Sequence, residues 1–367
     1  MSGGVDSALC AYLLSERGAC VTGIYMRNWD SVDETGVCTS DADWADVRDV
    51  CRTLGIPCQR VDFVKEYWGS VFEGTLDAFQ RGDTPNPDVM CNKEIKFGAL
   101  YQRLFESEAK NEFDVMATGH YARRVPMGAD QFQLGRARDR SKDQSYFLAA
   151  IDGSVLPRVV FPLGDAAKSD VKSLAREVGL AKYADKKESM GICFIGKRKR
   201  FGDFLDGYIE QAAGRFILED GTVIGTHDGV AKYTIGQNAK LAGLTTKYFV
   251  ARKDPPSSDL LVVPDRDHPL LYARSAVVEW VRWTHAENEQ LALHPETSDG
   301  EPLRAQVRYR QAAIDVRLEK LNGMDQYLVH FAEPVRAITP GQILVLYKGD
   351  VCLGCGVQQH LAAASFN

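Results

Sequence analysis

The chain lacks most of what would place it in a membrane or in a disulfide scaffold. No apolar run approaches the ~20 residues that a bilayer span needs. No leader of the signal-peptide type is read, because the first residues already form a motif. The nine cysteines stand at 10, 20, 38, 51, 58, 91, 193, 352 and 355, an odd and scattered set. They read as reduced thiols, most of them simply buried. The one CxxC, Cys352-Leu-Gly-Cys355, has only His360 nearby and lacks the second pair a zinc site wants, so no metal is assigned. Excess positive charge is missing too. With 44 Lys and Arg against 50 Asp and Glu, the net charge is −6, and a polyanionic partner would need local basic patches. What remains is ordinary globular material: 367 residues, 45% apolar and 26% charged, enough for two or three domains.

The first ~160 residues alternate strand and helix signals, predicting an α/β unit with a parallel sheet. Helices are expected over 7–17, 41–54, 92–105 and 168–178, and strands over 21–26, 58–63 and 113–118. The α/β unit is set at 1–200, a small mixed unit at 201–273, and an all-β unit at 274–367. Leu303-Arg-Ala-Gln-Val-Arg-Tyr-Arg310 alternates strictly, predicting a strand with Arg304, Gln306, Arg308 and Arg310 on one face. A closed β-barrel would remove the exposed edges of such strands.

Ser2-Gly3-Gly4-Val5-Asp6-Ser7 opens the chain immediately before the first helix. Consecutive glycines let backbone N–H groups approach an anion, and a helix N-terminus adds partial positive charge. Asp6 could hold Mg²⁺ or cap the helix. The loop lacks the Lys of a Walker A motif, which disfavours cleavage between β- and γ-phosphates. The string resembles the pyrophosphate loop of the N-type ATP pyrophosphatases. In that superfamily a hydrophobic strand precedes the loop, and here only Met1 does. The expectation is that reading further upstream reveals a short β-branched run.

Two cysteines stand in unusual contexts. Cys91 follows Thr84-Pro-Asn-Pro-Asp-Val-Met and is expected just before a helix that starts near Asn92, with Lys93 and Lys96 close. A thiol there should be partly thiolate. Cys193 lies in Glu188-Ser-Met-Gly-Ile-Cys-Phe-Ile-Gly196, followed by Lys197-Arg-Lys-Arg200. Each alone is equally a small buried residue; together with the loop they turn the reading toward sulfur chemistry.

SGGVDS, TPNPDVMCNKEIKF, ATGHYAR, KDQSYFL, GICFIGKRKRFGDFL, YTIGQ and VRYRQ occur in this order. The set resembles the tRNA-specific 2-thiouridylases, over essentially the whole chain. The resemblance implies ATP held by Ser2 to Ser7 with the backbone near Met26 and Gly119. It implies target-base contact by Asn86, Pro87 and Asp88, a nucleophile at Cys91, and a persulfide carried by Cys193 that leaves a disulfide between the two. It also implies tRNA contacts at Lys142, Asp143 and Gln144, at Arg308 and Tyr309, and at Gln342. His120 is either an active-site neighbour or a structural histidine. Mg²⁺ with ATP, a cysteine desulfurase or relay as sulfur donor, and a monomeric enzyme complete the implication.

Three basic runs could supply a tRNA footprint: Arg136/Arg138/Arg140/Lys142, 197–200, and Arg304/Arg308/Arg310. Departures from the family pattern are Glu188-Ser-Met-Gly before the second cysteine, Asn238 after Gln237, and Cys355 in place of Gly. The stretch from Phe249 to Ser275 resembles mitochondrial members, which favours a mitochondrial matrix location over a bacterial cytoplasm. The rival readings are an amidating synthetase on the same loop, which would need neither cysteine, and a tRNA-binding protein without turnover.

Overall fold

The computed structural model describes residues 1–29, 39–106, 112–128, 130–186, 201–297, 300–321 and 325–359. Cys193, the basic run 197–200 and His360 lie outside them.

The first unit is α/β, as its alternation predicts. Helix α1 (Val5–Glu16) buries Val5, Ala8, Leu9 and Cys10. It is followed by β1 (Gly23–Arg27), α2 (Thr39–Leu54) and β2 (Cys58–Asp62), with β1 and β2 paired in parallel. A helix over 64–80, α3, contains a π-helical turn at Trp68–Phe72. The next helix, α4, runs over 87–105 and is π-helical across Cys91–Ala99. Strand β3 (Met116–Ala117) pairs in parallel with the later Val159–Val160. The unit's sheet is thus two parallel pairs. On the β1 edge the amino group of Met1 donates to the Ile24 carbonyl.

Two strands inside the first unit do not belong to its parallel sheet. Strands β4 (Ala122–Gly128) and β5 (Gln131–Arg136) form a hairpin, and β6 is the Val159–Val160 strand. Helix α5 (Ser145–Leu148) and helix α6 (Lys168–Glu177) follow the hairpin. The middle unit is a four-stranded sheet of β7 (Gly214–Ile217), β8 (Val223–His227), β9 (Phe249–Asp254) and β10 (Asp259–Val263), in the order β8-β7-β10-β9.

The last unit is mainly β, and departs from the all-β expectation by a short helix at Asn288–Leu293 between its first two strands. Strands β11 (Tyr272–Trp283), β12 (Leu303–Gln306), β13 (Ile314–Lys320), β14 (Gln326–Arg336), β15 (Ile343–Lys348) and β16 (Val351–Gln358) run in the order β11-β14-β13-β12-β15-β16. The β11–β16 pairing closes six strands into a barrel, which removes the edges. The hairpin from the first unit joins this sheet, with β5 against β16 at Val351↔Gly135 and Cys352↔Leu134. One apolar core runs through both units, since Phe72, Phe97 and Tyr146 pack in the cluster that holds Ile343, Tyr347 and Cys355.

The alternation read over 303–310 holds only in part. Strand β12 stops at Gln306, whose side chain is buried, and Arg308 turns inward. Cys352 and Cys355 are buried in β16, where burial pushes the Cys355 thiol up to about 12.

Candidate active site

The phosphate loop takes the shape its glycines allow. Gly3 sits at φ 68°, and a Cβ there would lie 3.1 Å from the Asp43 carbonyl oxygen and from Asp46 Cβ. Gly4 is the N-cap of α1, so the free amides of the first turn face outward from the loop. Ser7 Oγ donates to the Gly4 carbonyl and accepts from Ser2 N–H, both at 3.2 Å. Gly119 passes so close that a Cβ would stand 2.9 Å from Ser7 N. That contact explains why the loop and the turn after β3 meet. Met26 is half-buried on β1.

Asp6 neither caps the helix nor stands free for a metal. Lys168, at the start of α6, donates to its two oxygens at 2.7 and 2.8 Å, and the Tyr121 hydroxyl donates at 3.0 Å. The pair joins residues 162 apart and pins α1 against α6.

The second corner is built on α4. Pro87 occupies the first helical turn, where its missing N–H is harmless, and Asn86 takes the N-cap position. The helix therefore begins before Cys91, not after it as the sequence suggests. The thiol sits in the second turn, at the start of the π-helical segment, and is buried. Gly98 fits that segment: a Cβ there would lie 2.8 Å from the Lys93 carbonyl five residues back. Such π segments are rare and frequent at functional sites. Asn28, just after β1, donates from Nδ2 to Cys91 Sγ at 3.7 Å.

Lys96, one turn on, donates to Asn92 Oδ1 at 3.0 Å and lies 3.4 Å from His120 Nε2. An ammonium only donates, so Nε2 is the acceptor and Nδ1–H points to Thr118 Oγ1 at 3.0 Å. Burial and the Lys96 charge hold His120 well below the usual imidazole range, as the neutral ring. Burial raises the Asp88 carboxyl, and Lys96 opposes the rise. Both ring nitrogens of His120 are thus engaged, and one of its partners lies on the Cys91 helix.

Some of the segments expected to contact tRNA reach the start of α4. The Tyr146 hydroxyl donates to the Ile343 carbonyl at 2.8 Å and also bonds the Asn86 side chain. Tyr309 packs on Phe147 with ring centres 4.3 Å apart. Gln342 Nε2 donates to the Thr84 carbonyl at 2.6 Å, beside Asn86 and Pro87. Other members of the set face inward. Asp143 is buried, accepting from Arg136 Nε at 2.8 Å and Ala137 N–H at 3.0 Å. Gln144 Oε1 accepts from Tyr121 N–H at 3.0 Å, and Arg308 donates to the Arg336 carbonyl at 2.9 Å and to the Ala337 carbonyl. Lys142 is half-buried on the turn before them. Among the basic runs, Arg140 pairs with Asp350 and Arg304 with Asp315. Arg304, Arg308 and Arg310 do not form one basic face.

Three contacts escape a reading of motifs, those of Lys168, Asn28 and Lys253. Lys253, on β9, is buried and donates to the Gly82 carbonyl at 2.9 Å and to Thr84 Oγ1 at 3.3 Å. Burial pushes its ammonium down to about 8. No local motif carries any of these residues; each acts through a contact distant in sequence.

The comparisons with known proteins agree with this architecture. The first unit belongs to the HUP class of domains: the family described as tRNA methyl transferase HUP domain matches residues 1–197. The tRNA methyl transferase PRC-barrel domain matches 202–264, and the aminomethyltransferase beta-barrel domain matches 274–357. The mitochondrial tRNA-specific 2-thiouridylase 1 of Drosophila melanogaster is 41% identical over 365 residues, covering 96% of this chain and 91% of that protein. The tRNA-specific 2-thiouridylase MnmA of Bacillus pumilus is 45% identical over 362 residues, covering 97% and 92%. That of Halalkalibacterium halodurans is 45% identical over 364 residues, covering 98% and 94%. The chain belongs to the tRNA-specific 2-thiouridylase family.

Proposed function

We propose that the protein is an ATP-dependent tRNA sulfurtransferase that converts the wobble uridine, position 34, to 2-thiouridine with release of AMP and pyrophosphate. The observation that carries this reading is that the helix bearing Cys91 reaches the glycine loop's neighbours through Lys96, 3.4 Å from His120, which follows the Gly119 that touches Ser7. One corner suits a nucleotide phosphate and the other a thiol reaction.

The C2 oxygen of uridine is a poor leaving group, and adenylation by ATP turns it into AMP while pyrophosphate departs. The amides at the start of α1 would hold the phosphate charge. The terminal sulfur of a persulfide on Cys193 then attacks C2 and AMP leaves. Cys91 thiolate attacks Cys193 Sγ, breaking the S–S bond to leave sulfur on C2 and a Cys91–Cys193 disulfide. The same balance holds if Cys91 first releases hydrosulfide, which then attacks C2. Either route ends in a disulfide that a two-electron thiol reductant must reopen. A cysteine desulfurase or sulfur relay would charge Cys193.

Mg²⁺ would be held chiefly by the ATP phosphates, since among the described residues no group of three or more His, Cys, Asp or Glu converges. Asp6 is engaged by Lys168, and no step here runs through the metal. The tRNA set is that read by Lys, Glu and Gln anticodon loops, the enzyme acts as a monomer, and the mitochondrial matrix is the favoured compartment. Nucleoside mass spectrometry on tRNA incubated with the protein, ATP and a persulfide donor tests the reading. The expected product is 2-thiouridine, lost in both Cys91→Ala and Cys193→Ala. Thiolation retained in both variants would overturn it.

A further inference from the structure

Asn28 carries an acceptor that is unpaired among the described residues, beside the candidate nucleophile. It follows β1 directly, at the end of a parallel strand where ligands of α/β sheets bind. Its Nδ2 donates to Cys91 Sγ at 3.7 Å, while its Oδ1 is buried with no hydrogen-bond partner among the described residues. Buried carbonyl oxygens are nearly always satisfied, so an orphan here asks for a donor that arrives with a ligand. Turning the amide over would not remove the problem. It would set oxygen against sulfur and forfeit the N–H···S contact, which favours the thiolate.

The donor can be named by its chemistry. A uracil ring carries one N–H that is free in a nucleoside, N3–H, and N3 is bonded to C2. An amide whose nitrogen touches the Cys91 sulfur and whose oxygen takes N3–H would hold C2 beside the thiol that splits the incoming persulfide. Cytosine presents a lone pair at N3 and would face Oδ1 acceptor to acceptor. We propose that Asn28 is a specificity-determining residue: Oδ1 accepts the N3–H of the target uracil while Nδ2 supports the Cys91 sulfur. This rests on the thiolation reading above and deepens it by assigning who reads the base.

The test uses the full chain and two tRNA transcripts that differ only by U or C at the target position. Wild type is expected to thiolate the U transcript alone. Asn28→Ala is expected to lose about 10- to 100-fold in kcat/KM on it, the range of a lost recognition bond, with tRNA Kd within about threefold. Asn28→Asp keeps an acceptor but replaces the N–H with negative charge, so Cys91 alkylation by iodoacetamide should move to higher pH. Asn28→Ser supplies a second truncation if the Ala variant melts early. An Asn28→Ala enzyme within about threefold of wild type in kcat/KM, or equal thiolation of the C transcript by wild type, overturns the assignment alone. Wild type that thiolates neither transcript overturns the functional reading instead. The Asn28–Cys91 pairing then stands or falls on the alkylation profile, and an unshifted profile in Asn28→Asp refutes it.

Discussion

The two corners of the site are finished to different degrees. At the glycine loop, Asp6 is held by Lys168 and Tyr121, Ser7 by Gly4 and Ser2, and the backbone is wedged against Gly119. At the Cys91 corner, the Asn28 oxygen has no donor among the described residues, the Asp88 carboxyl is raised by burial, and His120 is kept neutral beside a lysine. A loop that receives a phosphate can be rigid in advance, because backbone amides are the receptor and need no rearrangement. A corner that receives a base must leave groups unpaired until the base supplies their partners. The difference shows where ligand binding has still to complete the structure.

Variants can break that comparison, from the largest expected effect down. Removing the thiols should be most severe: Cys91→Ala and Cys193→Ala are expected to lower thiolation on the order of 10³-fold or more while tRNA binding persists. A gel-shift titration beside the nucleoside assay separates the two. Next comes Lys253, which clamps the chain at Gly82 and Thr84. Lys253 titrates at about 8 in the fold against an ordinary value of 10.5. Between those pH values the unfolded chain binds the extra proton, so stability relative to Lys253→Met should rise with pH. The rise is on the order of 3 kcal/mol at most across the window, read from urea midpoints of the two proteins at matched pH.

Lys168→Met leaves Asp6 without its cation. Because the Asp6 side chain is 32% exposed, the expected loss is roughly 2 kcal/mol, below that of a fully buried pair. Thermal melts should show it together with weaker ATP binding and an unchanged Cys91 alkylation rate. A shifted alkylation rate would show the corners to be coupled rather than separate. Smallest is Arg304→Gln, whose ion pair with Asp315 lies at the surface. It should change stability by less than about 0.5 kcal/mol and leave tRNA binding within twofold, as measured by melting and filter binding.

Much of the fold was legible because it rests on local signals. Helix 7–17 is found at Val5–Glu16, helix 41–54 at Thr39–Leu54 and strand 58–63 at Cys58–Asp62, each within two residues. Periodicity and capping reach no further than a few turns, so the failures are those of longer range. The start of α4 was misplaced because Pro87 looks like a breaker until it is seen in the first turn. The 303–310 alternation misled because the barrel closes on both sides of β12 and the chain leaves the strand after Gln306. The loop and Cys91 could be nominated from residue type. Lys168, Lys253 and Asn28 could not, since each meets its partner across 60 residues or more.

The hairpin of β4 and β5 has a consequence for how the protein is made. Its outer edge is filled by β16, whose Val351 pairs with Gly135. On a ribosome adding about 5–20 residues per second, the hairpin waits roughly 10 to 40 s for that strand. Through that interval a sheet edge and part of the shared core stay open, the condition in which nascent chains aggregate. The first unit therefore reaches its full set of contacts only after β16 has been made. A chain stopped before β16 lacks the partner of this hairpin in its first unit as well as the closure of its barrel.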